Sequence, residues 1–289
     1  MTNRREFLRN TALLVAGGML VRPAISTASL PAKGKKAIGL QLYSLRDAMR
    51  VDAKATLKEV AGMGYKTLET ASYGDGLIYG MAPAEFKKYV KDLGMKVTGA
   101  HLGGPQYTKD KHAEAMEWWK KAIADHKTAG VTWMIKPSMP IPKTLAELKV
   151  WCDYYNAVGA EVKKAGMRFG FHNHAREFEK IEGEIMFDYM VKNTDPKLVM
   201  FELDVYWVMK GGYNAVDYMR KYPDRIPVLH IKDEKEIGAS GTIDFRPIFE
   251  TAYANKVKEF YVEVERYDFE PIESVRKSYD YLAAAPYVK

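Results

Sequence analysis

Residues 168–174 read Arg168-Phe-Gly-Phe-His-Asn-His174, a short apolar run that closes on two histidines one residue apart. Three more runs of this kind follow: Phe201-Glu-Leu-Asp204, Val228-Leu-His-Ile-Lys-Asp233 and Phe260-Tyr-Val-Glu-Val-Glu265. Each is long enough for one strand. Each carries, at or near its end, a side chain able to bind a metal or move a proton. Helix-like segments lie between them, and such alternation builds parallel sheets with crossover helices.

The alternation continues toward the N-terminus. Strands are expected over Ile38–Leu42, Thr67–Glu69, Val97–His101, Trp133–Lys136, Arg168–His172, Val199–Leu203, Val228–Ile231 and Phe260–Glu263. Helices are expected over Ala53–Met63, Pro83–Leu93, Lys111–Ala129, Leu145–Ala165, Ile185–Lys192, Ala215–Lys221, Phe245–Ala254 and Pro271–Ala283. Gly64, Gly94, Gly130 and Gly166 stand where four of these helices turn back into strands, the place for a C-cap glycine. Eight such units predict an α/β fold, a single (β/α)8 TIM barrel. A doubly wound open sheet is the alternative, but it would carry a glycine-rich phosphate loop after its first strand. Gln41-Leu-Tyr-Ser-Leu-Arg46 is not one.

The first thirty residues stand apart. Asn3-Arg-Arg-Glu-Phe-Leu8 is a twin-arginine pattern, followed by a modest apolar stretch from Ala12 to Val21 that Gly17 and Gly18 dilute. That stretch is too short and too weak to anchor the chain stably in a bilayer. Residues 1–30 therefore read as a Tat-type signal peptide, with export to the periplasm, and residues 31–289 as the barrel. Residues 1–28 carry four arginines against one glutamate; removing them lowers the net charge of +7 to +4. A mild excess spread along the chain is weak support for nucleic-acid binding. The one cysteine, Cys152, excludes an intrachain disulfide and sits in a helix-like pattern as a packed small residue.

In a β/α barrel, chemistry collects at the C-terminal ends of the strands. Those ends carry Glu69, His101, Lys136, His172 with His174, Asp204, His230 with Lys232, and Glu263 with Glu265. Four of the six histidines fall there; His112 and His126 are expected to be solvated on a long polar helix. A convergent set of His, Asp and Glu on successive parallel strands reads as a metal site. Imidazoles mixed with carboxylates suit Mn²⁺, Zn²⁺, Co²⁺ or Fe²⁺ better than Ca²⁺ or a thiolate-seeking metal.

Ile38-Gly-Leu-Gln-Leu-Tyr-Ser-Leu-Arg-Asp47, His172-Asn-His-Ala-Arg-Glu-Phe178, Glu202-Leu-Asp-Val-Tyr-Trp207, His230-Ile-Lys-Asp233 and Gly241-Thr-Ile-Asp-Phe245 resemble the sugar phosphate isomerase/epimerase family, the xylose isomerase-like TIM barrels. The resemblance spans residues 37–285. It implies a divalent cofactor, most often Mn²⁺, held by His172, Asp204, His230 and Glu263, with Glu265 able to exchange with Glu263 two residues away on the same strand face. The epimerase branch usually has a glutamate where His172 stands. His-Asn-His instead resembles the inosose dehydratase-like and 3-keto-glycoside lyase-like branch.

The resemblance implies a metal-dependent isomerase or epimerase moving a proton next to a sugar carbonyl, with a lyase or hydratase on 3-keto-glycosides or inososes as the alternative. His101, His174, Glu177, Lys232 and Glu265 are then candidates for acid/base work, and Glu69, Tyr43 and Trp207 for substrate binding. Tyr43, Tyr73, Tyr206, Trp207 and Tyr267 lie on or after strand ends and offer faces on which a sugar can stack; packing beneath the loops is the competing reading. The expected partner is a small carbohydrate, with no nucleic acid, and an oligomer is compatible with the reading. An AP endonuclease-like nuclease would need more His and Asp ligands than can be placed here, and a non-catalytic sugar-binding protein would have no use for the full ligand set.

Overall fold

Eight strands close on themselves in the computed structural model, which describes residues 36–289. The export segment expected over residues 1–30 lies outside the described residues. The strands are β1 (Gly39–Gln41), β2 (Thr67–Thr70), β3 (Lys96–His101), β4 (Trp133–Lys136), β5 (Arg168–His172), β6 (Val199–Asp204), β7 (Val228–Lys232) and β8 (Glu259–Glu263). Each pairs in parallel with its sequence neighbours, and β8 returns to β1 with Gly39 opposite Tyr261. The crossover helices are α1 (Ala53–Met63), α2 (Pro83–Asp92), α3 (His112–Ala129), α4 (Leu145–Lys164), α5 (Met186–Asn193), α6 (Ala215–Lys221) and α7 (Phe245–Ala254), with α8 (Pro271–Ala284) after the last strand.

Side-chain alternation along the strands sorts the residues into two layers. On β6, Val199, Phe201 and Leu203 face the helices, where Phe201 meets Phe187 at 4.9 Å. Met200 joins Trp133, Ile135, Val228 and Tyr261 in a separate apolar cluster. Glu202 and Asp204 are on the same face of the strand as Met200 and are fully buried. The same order recurs on β7 as Val228, His230, Lys232 and on β8 as Tyr261, Glu263. An apolar plug thus fills one part of the barrel interior, and charge begins above it.

Gly99 on β3 shows how tightly that boundary is packed. A Cβ there would stand 2.7 Å from Glu69 Oε1 and 2.8 Å from the Tyr261 hydroxyl. Both neighbours are buried, so Gly99→Ala is expected to cost about 1–3 kcal/mol of stability. Urea unfolding measures it, and an alanine chain as stable as wild type would show that the carboxylate yields freely.

The elements depart from the sequence expectations in several places. Leu42–Leu45 is a 3₁₀ turn instead of the end of β1, because the Gln41 side chain accepts from the Tyr43 amide at 2.9 Å and starts the turn early. Two small hairpins, Tyr73–Gly74 with Leu77–Ile78 and Lys180–Ile181 with Glu184–Ile185, were not expected. Their arms are too short for any periodicity, and each turns through two residues at positive φ, Asp75-Gly76 and Glu182-Gly183. Finally, His126 is buried, not solvated. It lies on the stripe Ala115, Trp119, Ala122, Ile123, His126, Ala129 of α3, at helical spacing. Its Nδ1 is 2.7 Å from the Ala122 carbonyl and its ring lies edge-on to Tyr73. His112 is exposed, and Cys152 is buried in α4.

Candidate metal centre

His172 ends β5, Asp204 ends β6, His230 lies on β7 and Glu263 ends β8. Asp204 stands opposite His230, while His172 is opposite Glu202 and Glu263 opposite Lys232, and this stagger of the parallel strands still brings one ligand atom from each of the four within 4.8 Å of the others. All four are buried. His172 Nε2 is 3.5 Å from Asp204 Oδ2, and His230 Nδ1 is 3.3 Å from Glu263 Oε2. Both ring nitrogens of His172 and Oδ2 of Asp204 are buried without a hydrogen-bond partner. Buried polar atoms are rarely left so, and here the orphaned atoms are imidazole nitrogens and a carboxylate oxygen facing one another. The set fits a divalent ion of the Mn²⁺, Zn²⁺ or Fe²⁺ kind.

Local structure holds the ligands in place. Asp204 Oδ1 accepts from the Trp207 amide at 2.8 Å and caps the short helix Val205–Lys210, which leaves Oδ2 turned to the centre. Asn173 bridges the two strands, accepting from the Asp204 amide at 3.1 Å. Burial pushes Asp204 up to about 6 against the pull of Lys232 and His230. Burial, with His230 and His101 alongside, holds His172 well below the usual imidazole range, so its nitrogens are free to ligate.

Glu263, not Glu265, joins the four-residue set. Glu265 stands nearer the rim, 2.9 Å from Lys232 Nζ, which is also 3.0 Å from Glu263 Oε2. Burial opposes charge on Lys232, but Glu263, Asp204 and Glu265 outweigh it and raise its pKa. Lys232 is thus held as a cation. His174, half-buried at the mouth, lies with its ring centroid 5.0 Å from that of His172 and 5.5 Å from that of Trp207. Burial lowers its pKa, so it is neutral near pH 7.

Two of the expected site residues lie deeper than their positions in the sequence suggest. Glu69, expected to meet substrate, is fully buried below the mouth. It accepts from Gln41 Nε2 at 2.7 Å and its Oε2 is 2.7 Å from His230 Nε2, because β2 delivers it to the barrel interior. Glu177, expected in acid/base work, is buried and its Oε2 accepts from the His174 amide at 2.8 Å. It shapes the loop that presents His174.

The family profile of xylose isomerase-like TIM barrels matches residues 57–285. The chain belongs to that family. A sugar phosphate isomerase/epimerase from Parabacteroides distasonis superposes with a TM-score of 0.84 at 39% identity, over 88% of this chain and 100% of that one. An inosose dehydratase from Geobacillus kaustophilus is 24% identical over 211 residues, 66% of each chain; one from Clostridium perfringens is 27% identical over 142 residues, and the match spans 47% of its length. A structure of a protein named IOLI with a bound zinc atom shares the fold, with a TM-score of 0.67 at 14% identity over 87% of this chain and 98% of that one.

In this xylose isomerase-like barrel the mouth opens into a cleft of about 400 Å³ lined by Tyr43, His101, His172, His174, Glu263 and Glu265, among others. Lys136, from β4, is buried beside it and donates to the Gly103 carbonyl; burial pushes it down to about 8. Trp207 does not line the cleft but carries the Lys232 ammonium 5.4 Å from its ring centroid. The residue that sequence reasoning missed is Glu202. Its Oε2 is 2.7 Å from His101 Nε2 and 3.2 Å from His230 Nε2. Burial works against its charge, yet His230 and His101 hold it at about 2. The available signal was its place two residues before Asp204, on the same inward face of the strand.

Proposed function

We propose that the chain is a metal-dependent enzyme that removes a proton from the carbon next to a carbonyl of a small carbohydrate. The carrying observation is the buried set His172, Asp204, His230 and Glu263, with orphaned nitrogens and oxygen turned to one point at the floor of a cleft. These four would hold the ion. Bound there, a divalent cation polarises a carbonyl and stabilises the negative charge that develops on its oxygen. His174 is the base: neutral, at the cleft wall, and positioned through its backbone by Glu177. Lys232, its ammonium 2.9 Å from Glu265, puts positive charge on the β7–β8 side where a hydroxyl or alkoxy group would depart, and the proton taken by His174 is then available to that leaving group.

This one-sided arrangement favours elimination, since the carboxylate on the β8 side is tied to a lysine and is not a free partner for a second proton transfer. The inosose dehydratase relatives are in keeping with it. Isomerisation or epimerisation is the second reading, supported by the Parabacteroides relative. The twin-arginine pattern at Asn3–Leu8 further supports export to the periplasm, which fractionation of cells making the full chain would test.

The deciding experiment is turnover of a panel of 3-keto-glycosides, inososes and ketoses with Mn²⁺ in D₂O. Loss of a β-substituent marks elimination; deuterium at the adjacent carbon with the skeleton intact marks isomerisation. His174→Asn is expected to lower kcat by about 10²–10⁴-fold while metal content stays unchanged. Undiminished turnover in that variant would assign the base elsewhere.

A further inference from the structure

A second group lies beside the proposed centre and shares one residue with it. Glu69, His101, Glu202 and His230 also place one ligand atom each within 4.8 Å of the others. Four edges of that set are short: His101 Nε2 to Glu202 Oε2 2.7 Å, Glu202 Oε2 to His230 Nε2 3.2 Å, His230 Nε2 to Glu69 Oε2 2.7 Å, and Glu69 Oε2 to His101 Nε2 3.2 Å. The two rings are nearly parallel, 10° apart with centroids at 5.1 Å.

Each of the four atoms of the set has a hydrogen-bond partner, Glu69 Oε2 accepting from Gln41 Nε2 as well, but the second oxygen of each carboxylate has none. Glu69 and Glu202 have no exposed surface, and Oε1 of each is buried without a partner. Each imidazole Nε2 faces two carboxylate oxygens, and one N–H serves one of them well. Lys232, the nearby lysine, is spent on Glu263 and Glu265. His101 lines the cleft, which gives an ion a way in.

We infer that Glu69, His101, Glu202 and His230 form a second divalent-cation site beneath the mouth. His230 would be common to both sets, its Nδ1 on the side of Glu263 and its Nε2 on the side of Glu69. The donor set of two imidazoles and two carboxylates selects Zn²⁺, Mn²⁺, Co²⁺ or Fe²⁺ over Ca²⁺.

The test is Zn²⁺ stoichiometry on the chelator-stripped full chain, by elemental analysis after gel filtration. Wild type is expected to retain two equivalents, Glu202→Gln one, Asp204→Asn one, and the double variant none. One equivalent in wild type, unchanged by Glu202→Gln, overturns the inference and makes Glu69 and Glu202 hydrogen-bonding supports of the imidazoles. If Glu202→Gln does not fold, Glu69→Gln replaces it, and the wild-type count still decides. Failure of the upper site reads differently: one equivalent that Glu202→Gln removes and Asp204→Asn does not.

Discussion

Asp204→Asn is expected to lower turnover by about 10³-fold, the equivalent of losing several kcal/mol of charge stabilisation at the reacting oxygen. The variant is informative because Asp204 does two separable jobs. Oδ1 caps the Val205–Lys210 helix by accepting from the Trp207 amide, and Oδ2 faces His172 with no hydrogen-bond partner. An asparagine keeps the cap with its carbonyl oxygen and puts an NH₂ donor where the ligand oxygen stood. The chain should therefore stay folded, with a Tm within a few degrees of wild type, while its upper-site metal and its activity disappear together. Circular dichroism, elemental analysis and the substrate panel separate these effects. Wild-type turnover in Asp204→Asn would refute the proposed centre outright.

The second large effect is on stability. Lys232 is buried and bridges Glu263 and Glu265 at 3.0 and 2.9 Å. Lys232→Met keeps much of the side-chain volume and removes the charge, which leaves two carboxylates with less compensation. Truncating one partner of a buried pair costs about 3–5 kcal/mol. In a barrel of this size that is a drop in Tm of roughly 10 °C. The loss should be largest in chelator-treated protein, because an ion bound to Glu263 supplies the missing positive charge. Thermal melts of both proteins, with and without added Mn²⁺, test this. An equal drop under both conditions would mean that Glu263 gains nothing from the ion.

The barrel was legible because each strand and helix has its own composition and the units repeat eight times. The proposed ligands His172, Asp204, His230 and Glu263 were legible because each stands at or near a strand end. Glu202 was not, since it sits mid-strand inside an apolar run, where its type reads as an interruption. Only the period of two, counted back from Asp204, puts it inside the barrel. Glu69 was visible as a strand-end residue, but its depth was not, because the stagger between β2 and β7 is a property of the closed ring. His126 misled for the opposite reason: polar neighbours hid a stripe that spacing alone would have shown.

The two proposed sites differ in where their residues come from along the chain. The upper set is drawn wholly from β5 to β8. The lower set takes Glu69 from β2 and His101 from β3 and joins them to Glu202 and His230, with Glu69 and His230 separated by 161 positions. A nascent chain can gather the upper four as soon as its C-terminal half is structured. The lower four meet only when the first half of the barrel has docked on the second, so loop-closure entropy makes that contact late. Occupancy of the lower site would then act as a latch on ring closure, and the two ions would report on different stages of assembly.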